Sequence, residues 1–314
     1  MSDLNPASYP SQNLGRVVSE LRQARAQWRE SQQRAQEYGG RELPARQALH
    51  DIVQALCGAL FPMRLGPPDL RQESEDYYVG HTLDAALHAL LTQVRLELSY
   101  VARHQPREQA EIDAQAVQIV NDFASALPRL RGLLDTDVLA AYAGDPAARS
   151  VDEVLLCYPG ITAVIHHRLA HELYVLGLPL LARIVSEIAH SETGIDIHPG
   201  ARIGAGFFID HGTGVVIGET AVIGQRVRLY QGITLGAKRF STDEQGHLVK
   251  GQPRHPVVED DVVIYAGATI LGRITIGRGS SIGGNVWLTH SVPPGSHITQ
   301  ATIRQDTVLE GAGI

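Results

Sequence analysis

The stretch VVEDDVVIYAGATILGRITIGRGSSIGGNVWLTHSV, residues 257–292, carries an aliphatic residue at every sixth position: Val258, Ile264, Ile270, Ile276, Ile282 and Leu288. Four places after each of these comes a small or β-branched residue, namely Val262, Ala268, Ile274, Ser280, Val286 and Val292. Self-similarity at a short fixed period signals a solenoid, and a period of six signals a parallel β-helix. Each unit supplies a short strand and a corner, three units close a triangular coil, and coils stack at the interstrand distance of about 4.8 Å. The aliphatic side chain points into the coil, where glycine relieves the turn. Hence the Ile-Gly pairs that begin at Ile203, Ile217, Ile223, Ile276 and Ile282.

The same register runs upstream as Ile197, Ile203 and Ile209 and, after a slip of two residues, Ile217, Ile223, Leu229 and Leu235. Between the two blocks, residues 237–253 include the non-repetitive KRFSTDEQGHLVKGQ and must leave the coil as a loop. Long insertions in compact domains tend to be functional or mobile. The chain has only two lysines, Lys238 and Lys250, and both lie in this loop. From Leu14 to Ile188 the apolar spacing is helical instead, as in Leu83, Ala86, Leu87, Leu90, Leu91, Val94 and Leu98. The expected organisation is α + β. An all-α domain over 1–192 is followed by the β-helix over 193–296 and a tail over 297–314. Residues 1–40 form either an arm or an ordinary solvated helix.

The bulk properties narrow the function. With 27 basic and 34 acidic residues among 314, and no basic stripe, nucleic acid is not an expected partner. The apolar stretch from Leu173 to Val185 is too short to span a bilayer and is broken by Gly177, Pro179 and Arg183, so no membrane is expected either. The N-terminus lacks the pattern of a signal peptide. Cys57 and Cys157 show no paired spacing, which fits small core thiols in a reducing cytoplasm.

Three polar clusters interrupt the aliphatic design: Asp196-Ile197-His198-Pro199, the segment DHGTG at 210–214, and Arg254-His255-Pro256. If residues eighteen apart stack, Asp196 lies under Gly214, with His211 three residues back, so an Asp-His contact between coils is within reach. A carboxylate that fixes the imidazole tautomer leaves the other ring nitrogen to deprotonate an attacking hydroxyl. The alternative is structural, with His211 capping a turn and Asp196 bonding backbone amides. His166, His167 and His171 share one helix and read as surface or packing residues, and His198 either joins Asp196 or satisfies a corner.

The segments GIDIHP (194–199), IDHGTGVVIGETA (209–221), Thr234-Leu235-Gly236 and Arg254-His255-Pro256 closely resemble the serine O-acetyltransferases of cysteine synthesis. Asp145-Pro146-Ala147, fifteen residues before Gly160, also matches. The resemblance covers about 145–293 and implies a left-handed β-helix. It further implies transfer of acetyl from acetyl-CoA to the L-serine hydroxyl by direct attack, with no metal. His211 is then the general base and Asp196 its orienting partner. Asp145, Asp210, Arg254 and His255 bind serine, the arginine gripping its carboxylate and the acids its ammonium. Gly236, Ala237 and Ala266 contact the CoA moiety. Homotrimers, or dimers of trimers, with active sites between neighbours are implied as well. The terminal Gly311-Ala312-Gly313-Ile314 resembles the tail that many members insert into O-acetylserine sulfhydrylase, making Ile314 a partner-binding candidate, or else a frayed end.

The sequence departs from the family in the long loop before Arg254 and in the segment after Gly295. Three other readings compete. A γ-type carbonic anhydrase needs three converging histidines, two of them five positions apart, an interval absent from the β-helical half. Another hydroxyl acceptor, such as a sugar, an antibiotic or homoserine, is the second, and the helical half with Asp145 argues against the sugar and antibiotic members. A non-catalytic scaffold that only binds the sulfhydrylase would not need His211, Asp196, Arg254 and His255 together.

Overall fold

The computed structural model describes residues 11–31, 43–102, 107–239, 243 and 245–300. The tail from 301 on, with Ile314, lies outside the described residues. Two compact units divide the chain, Met1–Glu42 and Leu43–Ile314. In the first, α1 (Ser11–Ser31) leaves Leu14, Val17, Val18, Leu21 and Trp28 exposed. Steps of three, four and seven place them on one face.

The second unit begins with α2 (Arg46–Leu60), α3 (Pro62–Leu65), α4 (Glu75–Ala102), α5 (Gln109–Gly144), α6 (Val151–Cys157), α7 (Pro159–Val175) and α8 (Pro179–Thr193). Local chemistry sets several boundaries. Ser150 accepts the Glu153 N–H at the start of α6, and Pro159 and Pro179 occupy the first turns of α7 and α8, where a missing N–H costs nothing. The carboxylate of buried Glu97 accepts the N–H groups of Leu180 and Leu181, each at 2.8 Å, and so caps α8 from a neighbouring helix. At its other end α8 stops on Gly194, at φ 69°, and the chain turns straight into the first strand.

The strands form stacked coils. The first holds β1 (Asp196–Ile197), β2 (Arg202–Ile203) and β3 (Phe208–Ile209); the second β4 (Val216–Ile217), β5 (Val222–Ile223) and β6 (Arg228–Leu229). The third holds β7 (Thr234–Gly236), β8 (Val257–Val258) and β9 (Val263–Ile264); the fourth β10 (Thr269–Leu271), β11 (Thr275–Ile276) and β12 (Ser281–Ile282). Then follow β13 (Trp287–Leu288) and β14 (His297–Ile298), the latter beyond residue 296 and inside the stretch expected as a tail. All pairings are parallel and make three sheets: β1-β4-β7-β10-β13, β2-β5-β8-β11 and β3-β6-β9-β12-β14. This is the parallel β-helix expected from the hexapeptide register, with the left hand that the family resemblance implies.

The register carries straight into the core. Ile197, Ile217, Leu235, Ile270 and Leu288 form one interior column. Ile203, Ile223, Val258 and Ile276 form the second, and Ile209, Leu229, Ile264, Ile282 and Ile298 the third. Helices and coils share a single apolar cluster running from Leu49 to Val292. A buried ion pair crosses it: Arg168 of α7 bonds Asp137 of α5 at 3.1 Å and also donates to the carbonyls of Ile203 and Gly204. Asp137 in turn accepts the Phe207 N–H at 2.8 Å. Cys57 is buried, its thiol pushed up to about 12 by desolvation, whereas Cys157 is exposed, contrary to the expectation of two core thiols.

Candidate active site

The corner between β3 and β4 is two residues longer than its counterparts between β6 and β7 or β9 and β10. The excess falls at DHGTG. There His211 adopts φ 58°, Gly212 φ 90° and Gly214 φ 80°, a run of left-handed residues that is costly for any side chain larger than glycine. The slip also corrects the stacking expected from the sequence: Asp196 pairs with Val216, twenty residues on, and it is Gly194 whose carbonyl accepts the Gly214 N–H. His211 is thereby pushed outward, with a side chain 70% exposed and Nδ1 3.7 Å from Asp210 Oδ1.

Asp145 faces this corner from the turn after α5. One carboxylate oxygen accepts the Tyr158 hydroxyl at 2.5 Å and the other the Ala147 N–H at 2.8 Å. These bonds hold its carboxyl below the usual range, the Tyr158 contribution being largest, with the charges of Arg228 and His211 acting in the same sense. The same hydroxyl bond pushes Tyr158 up to about 12. Arg228 lies over the rings of Phe208 and Tyr230, and its Nη2 is buried without a partner. Asp145, Asp210 and His211 thus share one corner with Tyr158 and Arg228, two residues that motif reading missed. Tyr158 does sit directly before the Pro159-Gly160 step used to align Asp145.

Asp196 starts β1, the strand bonded to β4 just past this corner. Its nearest cation is Arg183, at 4.0 Å. Glu187, His190 and Asp196 hold ligand-type atoms within 4.8 Å of one another. Arg183 already pairs with Glu187 at 2.5 Å and approaches Asp196 at 4.0 Å, so both carboxylates of this group face a guanidinium. The contact foreseen between Asp196 and His211 is not among the hydrogen bonds and ion pairs of the described residues.

Arg254 and His255 stand at a different corner of the triangle, between the first and second sheets. Thr220 organises them: its Oγ1 accepts the Arg254 and His255 N–H groups at 2.9 and 3.1 Å and lies 2.9 Å from His255 Nδ1. The Thr220 N–H also donates to that Nδ1, at 3.1 Å, which leaves the proton of the neutral ring on Nε2. Burial, reinforced by Arg254, brings His255 down to about 4, so the ring is a neutral donor near pH 7. It lies against Gly218, where any Cβ would collide with it.

Arg254 donates to Glu219 at 2.6 Å, and Glu219 also accepts from Tyr174 at 3.2 Å. Burial works against ionisation of Glu219, but Arg254, His198 and Tyr174 together hold its carboxyl below the usual range. Arg273 fastens the corner by donating to the carbonyls of Thr220 and His255. Gly236, at the end of β7, and Ala237 belong to this corner, whereas Ala266 lies on the His211 side, between β9 and β10. His198 accepts the Gly200 N–H and so satisfies its turn; His166 and His167 are buried packing residues of α7.

Residues 255–290 match the family described as Bacterial transferase hexapeptide (six repeats). Over 275 residues the chain is 61% identical to "Serine acetyltransferase, plasmid" of Synechococcus elongatus, covering 87% of this chain and 86% of that one. It is 52% identical over 158 residues to a serine acetyltransferase of Mycobacterium tuberculosis, covering 50% of this chain and 65% of the relative. Serine acetyltransferase 1 of Entamoeba histolytica, solved with L-cysteine, superposes with a TM-score of 0.69 at 38% identity, covering 80% and 86% of the two chains. The Neisseria gonorrhoeae serine acetyltransferase, solved with serine, gives 0.52 at 27% identity, covering 81% and 95%.

Proposed function

Because the chain belongs to the serine acetyltransferases, which acetylate the L-serine hydroxyl from acetyl-CoA to supply cysteine biosynthesis, we propose that His211 is its general base. The observation that carries this reading is the lengthened corner, which holds a histidine in a strained left-handed conformation and presents it to solvent beside two carboxylates. With Nδ1 turned toward the acids, Nε2 takes the serine hydroxyl proton as the oxygen attacks the thioester carbonyl carbon. Collapse of the tetrahedral species breaks the C–S bond, and the proton passes to the departing thiolate. O-acetylserine and CoA leave.

Asp196 orients the ring and stabilises its protonated form. At 4.0 Å, Arg183 is too distant to hold that carboxylate by a hydrogen bond. Asp145 and Asp210 receive the serine ammonium; Tyr158 and Ala147 keep Asp145 ionised for that task. Arg254 takes the serine carboxylate, and His255 donates from Nε2. Gly236, Ala237 and Ala266 contact the CoA moiety.

Since one triangle cannot bring two of its corners together, the His211 corner of one copy meets the Arg254 corner of another, and a homotrimer completes three sites. Such trimers can pair through their helices. The terminal Ile314 engages O-acetylserine sulfhydrylase.

Incubation with acetyl-CoA and a panel of L-serine, L-homoserine and sugars, followed by thiol release, identifies the acceptor. His211→Ala is expected to lower kcat by about a hundredfold or more while CoA still binds. Undiminished turnover would remove His211 from the mechanism.

A further inference from the structure

We propose that α1 is one helix of a parallel three-stranded coiled coil, formed with the α1 helices of two further copies of this chain. Leu14, Val17, Leu21, Ala24 and Trp28 alternate in steps of three and four along it. These are the a and d positions of three consecutive heptads, with Ser31 as the last d, and a strict seven-residue repeat is the mark of a coiled-coil seam. All five are exposed, the four large ones by between 41% and 61%. The face away from them is polar, with Arg16, Ser19, Arg22, Gln23, Arg29 and Glu30 at b, c and f positions. A helix of 21 residues with Gly15 near its start is marginal in water without packing, and the seam supplies the packing.

Charge sets the direction of the partner. In parallel coiled coils a g residue faces the e residue of the following heptad on the neighbouring helix. Glu20 falls at g and Arg25 at e, so each interface brings the carboxylate of one copy to the guanidinium of the next. Within its own helix Glu20 meets Arg16 at 3.7 Å, with side chains 66% and 68% exposed, which leaves its second oxygen open to another cation. An antiparallel pair centred on Leu21 would set Glu20 against its own copy and Arg25 against Val18.

The identity of the seam residues sets the number of helices. A β-branched residue at a with leucine at d favours two strands. Here the order is reversed, with Leu14 and Leu21 at a and Val17 at d, and Val18 at e widens the apolar face. That arrangement shifts the preference to three or more helices. Three agrees with the homotrimer, and this choice rests on the shared-site reading proposed above.

The test uses the full chain carrying Cys157→Ser, because that thiol is exposed. Val17→Cys places a thiol on the seam and Ser19→Cys places one on the outer face. A short bis-maleimide should link copies at position 17 at least about tenfold faster than at position 19. Arg25→Glu should slow the link at 17 about tenfold, since three contacts per bundle change sign at once, and adding Glu20→Arg should restore it. The Arg25→Glu carboxylate lies four residues before Arg29 and supports the helix itself, so slower linking reports the interface and not unfolding. Equal rates at 17 and 19, or a rate at 17 that Arg25→Glu leaves unchanged, would overturn the proposal and give this face to another occupant. Sedimentation of the same samples counts the copies. A trimer that does not link at 17 removes the coiled coil alone and spares the shared-site reading, whereas a linked dimer or tetramer overturns the three-stranded bundle and the trimer with it.

Discussion

At the residue scale, three acidic side chains compete for roles around one imidazole. Asp210 lies 3.7 Å from His211 Nδ1, Asp145 acts on it through space, and Asp196 waits on the adjoining strand. The two roles have different kinetic signatures. An orienting carboxylate acts on proton transfer, so Asp196→Asn should lower kcat by about a hundredfold with little change in the KM for L-serine. An ammonium-binding carboxylate acts on the ground state, so Asp210→Asn should raise that KM about tenfold and spare most of kcat. Steady-state kinetics on the two variants checks this, and a reversed pattern would exchange the assignments. Spacing singled out Asp196, and the family resemblance Asp145 and Asp210; of the three, it is Asp210 that lies 3.7 Å from the ring. At this corner the chain spends twenty residues where the repeat predicts eighteen, and the two extra residues lift His211 outward.

At the scale of elements, the hexapeptide register was readable because every interior position is filled by the same kind of side chain. Periodicity of that sort survives without any knowledge of the tertiary contacts. The polar joints between helices and coils are not periodic and left no such trace. Asp137 and Arg168 lie 31 residues apart on different helices, yet both are buried and together they satisfy the Phe207 N–H and the carbonyls of Ile203 and Gly204. Desolvation pushes the Asp137 carboxyl up, and the charge and hydrogen bonds of Arg168 oppose that shift. Asp137→Ala strands the guanidinium in the core and should destabilise the fold by about 3–5 kcal/mol. Urea unfolding measures that loss; a change below about 1 kcal/mol would mean that Arg168 finds enough carbonyl oxygens to stand alone. Thr220 was equally invisible, since a threonine inside a strong motif gives no sign that it will hold both Arg254 and His255.

At the scale of the whole molecule, the decisive fact is that the proposed catalytic and carboxylate-binding residues occupy two different corners of the triangular β-helix, His211 where the first coil passes into the second and Arg254 and His255 in the third. Either each copy works with half of a site, or the two corners serve separate sites. Mixed oligomers distinguish these. His211→Ala and His255→Ala each disable every site in their own homotrimer. If a site takes His211 from one copy and His255 from the next, random hybrids of the two variants rebuild an intact site wherever a chain that keeps His211 precedes one that keeps His255. For equal mixing that arrangement arises at about one interface in four, so about a quarter of the wild-type rate should return. The measurement requires joint refolding or co-expression, because preformed oligomers of the separate variants exchange slowly if the interface is large. Activity that stays at the level of the single variants would place both histidines in one subunit's site.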